Sequence, residues 1–460
     1  MATPPLAPRR PHELVAHDDR RVDDWYWLAN RDDPEVIAYL EAENGFLKDA
    51  MADTEALQSR LYAQMRSRIK ETDTTAPTRK GCWWYYSRTV EGQQYAIHCR
   101  RPVIEPDQAV EAVDAIDVLA AADRGEPGEV VLLDENQAAA GSDYFALGVF
   151  DISTDGSRLG YAVDMTGGER YTLRFRDLAT GIDLEDEITD VYYSSAWSAD
   201  GTMFFYTRTD AAVRPWQVWR HAIGRPPEED VLVFQEDDDR FFVEVGLTRS
   251  QRFIVITTAS KLTSEVHVVD ADRPAHPFRV VEPRRHGVEY SIEHARLPGK
   301  GDTFLIVTND DDAENFELVE TLVASPGRAN WVVRIPHRSE VRLEGVDAFA
   351  DYMVVSEREQ GLEQLRVISL ANQGEHLIEQ PEAVYSLSGS GNPEFETANL
   401  RFGYTSLVTP PSTVEYDMAT RRRAVVKQQP VLGGYDPDRY ETRRLWATAP
   451  DGVKVPMSVV

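Results

Sequence analysis

The chain has 460 residues, which is more than one compact core usually holds, so two domains or one large β architecture are expected. Its 49 basic and 78 acidic residues give a formal charge of -29, which repels nucleic acid and anionic membrane surfaces and attracts cationic ligands. The two cysteines, Cys82 and Cys99, indicate neither a disulfide framework nor a metal site. The N-terminus carries no apolar leader, and no apolar run is long enough to span a membrane, so a cytoplasmic location is predicted.

Helical periodicity dominates the first 70 residues. Asp33-Pro34-Glu35 combines a capping carboxylate, a proline in the first turn and an acid near the positive end of the helix dipole, which predicts a helix start. A second helix is predicted from about Thr54. Each helix has an apolar stripe, and such stripes are packing faces that need a further body to cover them. The stripes consist of Val36, Ile37, Leu40 and Leu47 in the first helix and Leu57, Leu61, Met65 and Ile69 in the second.

A repeat begins after residues 72–78, where short β-type runs separated by Asp-Gly, Pro and Ser/Thr turns replace the helical pattern. The segment 153–161, with its Asp-Gly turn before an aromatic strand, returns 45 positions later at 198–206. Seven equivalent positions give spacings of 76, 45, 49, 51, 49 and 49, and the long first spacing predicts an insertion in the first unit. Seven units of about four strands predict a seven-bladed β-propeller, and regular spacing disfavours the alternative of two stacked sandwiches. The equivalent positions are Trp83, Leu159, Phe204, Phe253, Phe304, Met353 and Phe402.

The pattern breaks at Gly433-Gly434, and two further strands are predicted at 441–449 and 453–460 around a Pro450-Asp451-Gly452 turn. The second of these strands runs to the last residue without a cap. An open strand edge is a liability in a finished domain, so we expect the chain to be truncated there.

The sequence offers no catalytic, cofactor-binding or metal-binding residue. A nucleophile elbow requires Gly-x-Ser-x-Gly, and the nearest candidate, 387–391, lacks that spacing and is predicted to be a flexible loop. The ten histidines show no metal spacing, and none lies beside a serine in a recognisable catalytic context, so surface or satisfied strand positions are expected. The acidic clusters 236–239 and 310–314 lack the pattern of a calcium loop and are predicted to be solvated hairpin tips.

Several segments, taken together, resemble the oligopeptidase B (protease II) branch of the prolyl oligopeptidase family of serine peptidases. The opening segments 20–28 (RRVDDWYWL) and 39–44 (YLEAEN) are similar to the start of such peptidases. Further similar segments follow in order, so the resemblance covers the chain from about residue 9 to its end. They are Glu91-Gly92 with 95–97, 171–176, 217–224, 263–266, 289–294, 343–345, and 404–406 with Pro410.

The resemblance implies a fold and a domain division. The expected fold is mainly β, a seven-bladed β-propeller preceded by a short helical segment and followed by the first strands of a truncated α/β-hydrolase domain. Residues 1–71 would be the N-terminal helical segment of the hydrolase domain, and 72–78 a hinge. Residues 79–435 would form the propeller, and 436–460 a second hinge with the first hydrolase strands.

The resemblance also implies an activity, a serine-type endopeptidase that uses a Ser-His-Asp triad to cleave short peptides after Lys or Arg. In this family the triad lies beyond the segment that matches residues 1–460, so the chain alone is expected to be inactive and to need no cofactor. Expected partners are short basic peptides and the missing C-terminal hydrolase portion, with no nucleic acid and no membrane. The alternative is a free-standing β-propeller interaction module, which would be expected to end in a capping strand or a polar tail.

Overall fold

A computed structural model describes residues 3–104 and 112–460 of the chain. Contacts between residues divide the chain into two compact units. The first unit extends to Lys70 and also includes Val431–Tyr435, and the second consists of Glu71–Pro430 and Asp436–Val460.

The first unit contains a hairpin and two helices. The side chain of Asp33 accepts a hydrogen bond from the Glu35 amide at 2.9 Å, which confirms the predicted helix start. Val36 is buried at 3% exposure, but the rest of both apolar stripes is exposed or only half-buried, and the second helix buries no residue. The elements are β1 His12–Ala16, β2 Asp19–Asp23, a 3₁₀ turn Tyr26–Ala29, α1 Pro34–Ala50, a 3₁₀ turn Ala52–Thr54 and α2 Glu55–Arg66.

The second unit contains seven antiparallel sheets of four strands, and each sheet uses four consecutive strands. We number these sheets as blades 1 to 7, and they confirm the predicted seven-bladed propeller. Blade 1 contains β3 Thr78–Lys80, β4 Trp83–Arg88, β5 Ile97–Pro102 and β6 Val130–Asp134, with α3 Ala112–Asp123 before β6 and α4 Glu135–Ala138 after it. Blade 2 contains β7 Ala146–Ile152, β8 Arg158–Asp164, β9 Tyr171–Asp177 and β10 Ile182–Val191. Blade 3 contains β11 Ser195–Trp197, β12 Met203–Thr209, β13 Pro215–Ala222 and β14 Val231–Gln235, with a 3₁₀ turn Pro227–Glu229.

The remaining blades follow the same order. Blade 4 contains β15 Phe242–Leu247, β16 Phe253–Ala259, β17 Ser264–Asp270 and β18 Arg279–Val280. Blade 5 contains β19 Tyr290–Leu297, β20 Gly301–Thr308, β21 Glu317–Leu322 and β22 Val332–Ile335, with a 3₁₀ turn Arg328–Asn330. Blade 6 contains β23 Val341–Ala348, β24 Tyr352–Glu359, β25 Leu362–Ser369 and β26 Glu375–Leu377. Blade 7 contains β27 Ser386–Gly389, β28 Asn399–Thr405, β29 Ser412–Asp417 and β30 Arg423–Gln428.

All seven positions taken as equivalent in the sequence lie in the second strand of their blades. The Asp-Gly turns before two of them need glycine because Gly156 and Gly201 have φ values of 72° and 64°. The predicted insertion in the first unit is also confirmed, since α3 lies between the third and fourth strands of blade 1. Residues 105–111 of that insertion lie outside the described residues.

The hydrophobic core is divided among the interfaces between neighbouring blades. The interface of blades 2 and 3, for example, packs Phe175 against Phe204 and Trp197, all of them less than 3% exposed. Blades 1 and 7 meet through Trp84, through Ala115 of α3 and through Val426. A blade therefore depends on both neighbours, as expected for an array that is stable only as a ring.

The last two strands form an antiparallel hairpin, β31 Arg443–Thr448 and β32 Lys454–Val459, preceded by a 3₁₀ turn Pro437–Arg439. This confirms the two strands predicted after the propeller. Leu445 and Trp446 are 46% and 43% exposed, so the hairpin leaves apolar surface uncovered within the second unit. Of the helices in the two described ranges, none has the length and apolar character needed to cross a membrane.

Candidate functional site

The first strands of the blades line a central channel. Lys80 of blade 1 donates a hydrogen bond to the carbonyl of Ile152 in blade 2 at 2.6 Å, and Ser195 of blade 3 donates to Asp151 at 3.1 Å. A cavity of about 230 Å³ is bounded by residues at the ends of the first strands of blades 1 to 4 and by Pro393 of blade 7. A cavity shared by five blades lies on the axis of the ring.

The two ends of the channel can be told apart from the pairing in blade 1. Thr74 pairs with Arg88 at one end of β4, and Lys80 pairs with Trp83 at the other. The chain enters and leaves the propeller near Thr74, because Lys427 of the last blade strand contacts Asp73 at 2.7 Å. We call the opposite end, at which Lys80 lies, the far end of the channel.

Two carboxyl groups near the far end have raised pKa values. Burial raises the pKa of Asp151, against the opposing effects of the Lys80 charge and the Ser195 hydrogen bond. Burial likewise raises the pKa of Glu293, on β19 of blade 5, to about 7, although the nearby charge of Arg249 opposes that shift. The Glu293 carboxyl group can therefore exchange a proton near neutral pH.

The channel wall as a whole is not strongly acidic. The seven first strands carry five carboxylate residues and four Lys or Arg residues, so most of the formal charge of -29 lies elsewhere on the chain. The charge predicted from composition to attract cationic ligands is therefore not concentrated in the channel.

One histidine lies beside a serine in the structure, although not in a catalytic context. Ser87 on β4 faces His98 on β5, with 2.9 Å between the hydroxyl and Nδ1, and His98 Nε2 lies 2.6 Å from a carboxylate oxygen of Glu135. The register of the hairpin that joins the two strands was the signal that could have revealed this pair. The imidazole also stacks on Phe150 of blade 2, with ring centroids 4.5 Å apart.

The surroundings of Ser87 do not suit a nucleophile. A nucleophilic serine needs a free backbone donor to stabilise the oxyanion, and a strained turn that exposes the hydroxyl. Ser87 lies inside a strand, its amide donates to the Thr75 hydroxyl at 2.9 Å, and its carbonyl accepts from the Thr75 amide at 2.8 Å. We interpret Ser87, His98 and Glu135 as a hydrogen-bonded group within blade 1, whose imidazole packs against Phe150 of blade 2.

The segment 387–391 is not a flexible loop over its whole length, and that prediction is wrong for its first half. Ser386–Gly389 forms β27, the first strand of blade 7, and Ser388 pairs with Gly403. A Cβ atom added to Gly403 would lie 2.1 Å from the Ser388 hydroxyl oxygen, so this hydroxyl packs against the neighbouring strand. The small residues here serve close strand packing and form no nucleophile elbow.

The acidic clusters 236–239 and 310–314 are also not simply solvated hairpin tips, because the first residue of each is buried. Glu236 accepts from Thr258 of blade 4 at 2.9 Å and from Arg284, in the segment after blade 4, at 2.6 Å. Asp310 pairs with Arg285 and Arg328, and although burial opposes ionisation, those two hydrogen bonds lower its pKa to about 2. Glu236 thus joins the end of blade 3 to blade 4, and Asp310 joins blade 5 to the segment that follows blade 4. Composition could not show the arginine partners of these carboxylates.

A buried histidine has two carboxylate partners. His221 of blade 3 lies 2.7 Å from Asp230 and 2.9 Å from Asp186 of blade 2, and its side chain is fully buried. Burial alone would lower the pKa of His221, but the hydrogen bonds to Asp230 and Asp186 outweigh it and raise the pKa. The histidine is thus a satisfied strand residue, as predicted. Within residues 3–104 and 112–460, no three His, Cys, Asp or Glu side chains are grouped in a way that could hold a metal ion.

The fold and the blade interfaces define a seven-bladed propeller with helices before it and a hairpin after it. Residues 4–429 match the family model described as "Prolyl oligopeptidase, N-terminal beta-propeller domain". The chain therefore belongs to the prolyl oligopeptidase family and contains its N-terminal propeller portion.

Three similar proteins match over essentially the whole chain, but the chain covers less than two thirds of each. It is 39% identical to a dipeptidyl aminopeptidase BI of Pseudoxanthomonas mexicana, over 100% of this chain and 62% of that protein. It is 34% identical to a protease 2 of Moraxella lacunata, over 99% of this chain and 63% of that protein. The structure of oligopeptidase B from Trypanosoma brucei with covalently bound antipain matches with a TM-score of 0.86 and 31% identity, over 99% of this chain and 64% of that one.

Proposed function

We propose that this chain is the N-terminal and propeller portion of an oligopeptidase B-like serine endopeptidase that cleaves short peptides after Lys or Arg. The observation that carries the proposal is the similarity to oligopeptidase B over 99% of the chain, with a TM-score of 0.86. In the complete enzyme the propeller limits substrate size, because a substrate must fit either the narrow central channel or the opening beside the propeller ring. The catalytic triad is proposed to lie outside residues 1–460.

The uncovered apolar surfaces support the proposal that a further portion of the enzyme packs against this chain. The stripes of α1 and α2 expose Leu40 at 50% and Leu61 at 45%, and the last hairpin exposes Trp446. Exposed apolar surface of this extent is typical of an interface. We propose that both surfaces pack against the remaining hydrolase portion, and that residues 436–460 provide its first strands. The two cysteines are free, which is in keeping with a cytoplasmic location.

A peptidase assay with a serine-directed probe tests the proposal. The chain 1–460 alone is expected to release no fluorophore from an Arg-ending peptide and to take up no fluorophosphonate, because Ser87 lacks the surroundings of a nucleophile. Labelling of Ser87, or turnover that a serine-directed inhibitor blocks, would refute the claim that the triad lies elsewhere. The coding sequence downstream is expected to contain Gly-x-Ser-x-Gly.

A second activity is favoured by one relative. The protein with 39% identity over the whole chain is named a dipeptidyl aminopeptidase, which points to removal of dipeptides from a free N-terminus. The two activities differ in their need for a free amino group. Cleavage of an N-terminally blocked Arg peptide by the complete enzyme supports the endopeptidase. Cleavage of only the unblocked peptide supports the aminopeptidase.

A further inference from the structure

Arg249 crosses the far end of the channel. It follows the first strand of blade 4, yet its Nε donates to the carbonyl of Asn392 in blade 7 at 2.7 Å. A second guanidinium nitrogen pairs with the carboxylate of Asp347 in blade 6. These partners are 143 and 98 residues away along the chain, and the guanidinium reaches them across the axis of the ring.

The partners of Arg249 form a receptor for a guanidinium group, which we call the seat. It consists of the Asp347 carboxylate, the carbonyls of Asn392 and Ala348 (the latter 3.5 Å from Nη1), and the ring of Phe349. The guanidinium carbon Cζ of Arg249 lies 4.7 Å from the centroid of that ring. These acceptors suit a guanidinium group, whose planar fork can donate to a carboxylate and a carbonyl while it covers an aromatic face. An ammonium group lacks that planar fork.

The seat is held in place by contacts that do not involve Arg249. The Asn392 side chain donates to the carbonyls of Ser390 and Arg401, both at 2.8 Å, and accepts from the Arg401 amide at 2.8 Å. Phe349 is fully buried. A preformed site loses little entropy when a ligand fills it, so the seat is expected to persist when the Arg249 guanidinium is absent.

There is also room for more than a guanidinium group beside the seat. Arg249 forms part of the wall of the 230 Å³ cavity at the far end, together with Trp197, Leu247 and Asp151. One more carboxyl group, Glu293, lies near Arg249, whereas Lys80 is paired with the Ile152 carbonyl. The cavity therefore adjoins the seat and has an apolar wall on one side.

We propose that the seat is a binding site for the arginine side chain of a peptide in the channel, and that Arg249 is its resident occupant. A peptide arginine competes with Arg249 for the same acceptors, and displacement frees the far end of the channel. That the ligand is a peptide rests on the proposed function, whereas the preference of the seat for a guanidinium group concerns residues of the propeller alone and is tested separately from peptidase activity.

The test uses the full chain with Arg249→Met, which keeps most of the aliphatic stem over Phe349 but removes the guanidinium. N-acetyl-arginine amide is titrated by calorimetry into the wild type and the variant, with N-acetyl-lysine amide as the matched control ligand. The variant is expected to bind the arginine compound about tenfold more tightly than the wild type does, and more tightly than the lysine compound. Adding Asp347→Asn to the variant is expected to abolish that gain.

Equal binding by wild type and variant, no binding by either, or no preference for arginine over lysine would overturn the proposal. If Arg249→Met does not fold, Arg249→Lys is used, since it keeps a cation without the planar fork. Its unfolding temperature is then expected to rise with millimolar methylguanidinium but not with methylammonium. An equal response to both compounds, or to neither, would contradict the proposal as well.

Discussion

Replacing Glu293 by Gln is expected to stabilise the propeller at alkaline pH and to change little at acidic pH. Because burial raises the pKa of Glu293 from 4.5 to about 7, the folded chain holds a proton that the unfolded chain has already released in that window. The free energy of unfolding of the wild type therefore falls as the pH rises from 4.5 to about 7. Above about pH 7 the full destabilisation by the ionised carboxylate is present. At about 1.4 kcal/mol per pKa unit this cost is at most about 3 kcal/mol. Since Glu293 is partly exposed to the channel, solvent screening reduces the expected gain to about 1–2 kcal/mol.

The assay is chemical unfolding of wild type and Glu293→Gln at about pH 5 and about pH 8. Gln keeps the acceptor for the His294 amide, which lies 3.0 Å from the carboxylate, so only the charge changes. Glu244→Gln, at an exposed position on the first strand of blade 4, is the matched control and is expected to change little at either pH. An equal effect of Glu293→Gln at both pH values, or a loss of stability at about pH 8, would show that the Glu293 charge does not destabilise the fold.

Three further substitutions test the contacts between blades by chemical unfolding. His221→Leu is expected to cost about 3–5 kcal/mol near neutral pH because it leaves two buried carboxylates without their shared partner. In the wild type this contribution is present below about pH 6.5 and is lost as the pH rises through the raised pKa of His221, so an unchanged cost at high pH would contradict the assignment. Gly160→Ala is expected to cost about 1–3 kcal/mol because the added Cβ would lie 2.9 Å from the buried Phe204 ring. The control is Gly246→Ala, whose Cβ would have nothing within 4 Å and which should be nearly neutral. Similar costs for both substitutions would contradict the close packing of Gly160 against Phe204. Lys427→Met is expected to cost about 1–2 kcal/mol by removing contacts that join blades 7 and 1, and a neutral result would show that apolar packing alone closes the ring.

The propeller could be predicted from the sequence because each blade repeats the same local pattern of turn residues and buried strand residues. Phe204 and Phe304 occur at corresponding points of two repeats, and both are fully buried in the second strand of a blade. The Asp-Gly turn that precedes Phe204 needs the positive φ of Gly201, which few other residues adopt. Local patterns of this kind are visible without knowledge of distant contacts.

The groups that meet across the ring could not be predicted in the same way. Arg249 and Asp347 are separated by 98 residues, and their meeting depends on the closure of seven blades into a ring. Glu236 looked solvated in a run of acids because its partner Arg284 lies 48 residues further on. Ser87 and His98 are only 11 residues apart, and the register of one hairpin was sufficient to pair them. Long-range pairing of this kind is fixed by tertiary structure and not by local periodicity.

The most direct test of the central claim compares hydrolysis of an Arg-ending fluorogenic peptide by residues 1–460 and by a chain that continues through a complete hydrolase domain. Residues 1–460 are expected to show no turnover, and the continued chain is expected to show turnover that a serine-directed inhibitor abolishes. Inhibitor-sensitive turnover by residues 1–460 alone, or a folded continued chain that cleaves no peptide after Arg or Lys, would contradict the claim.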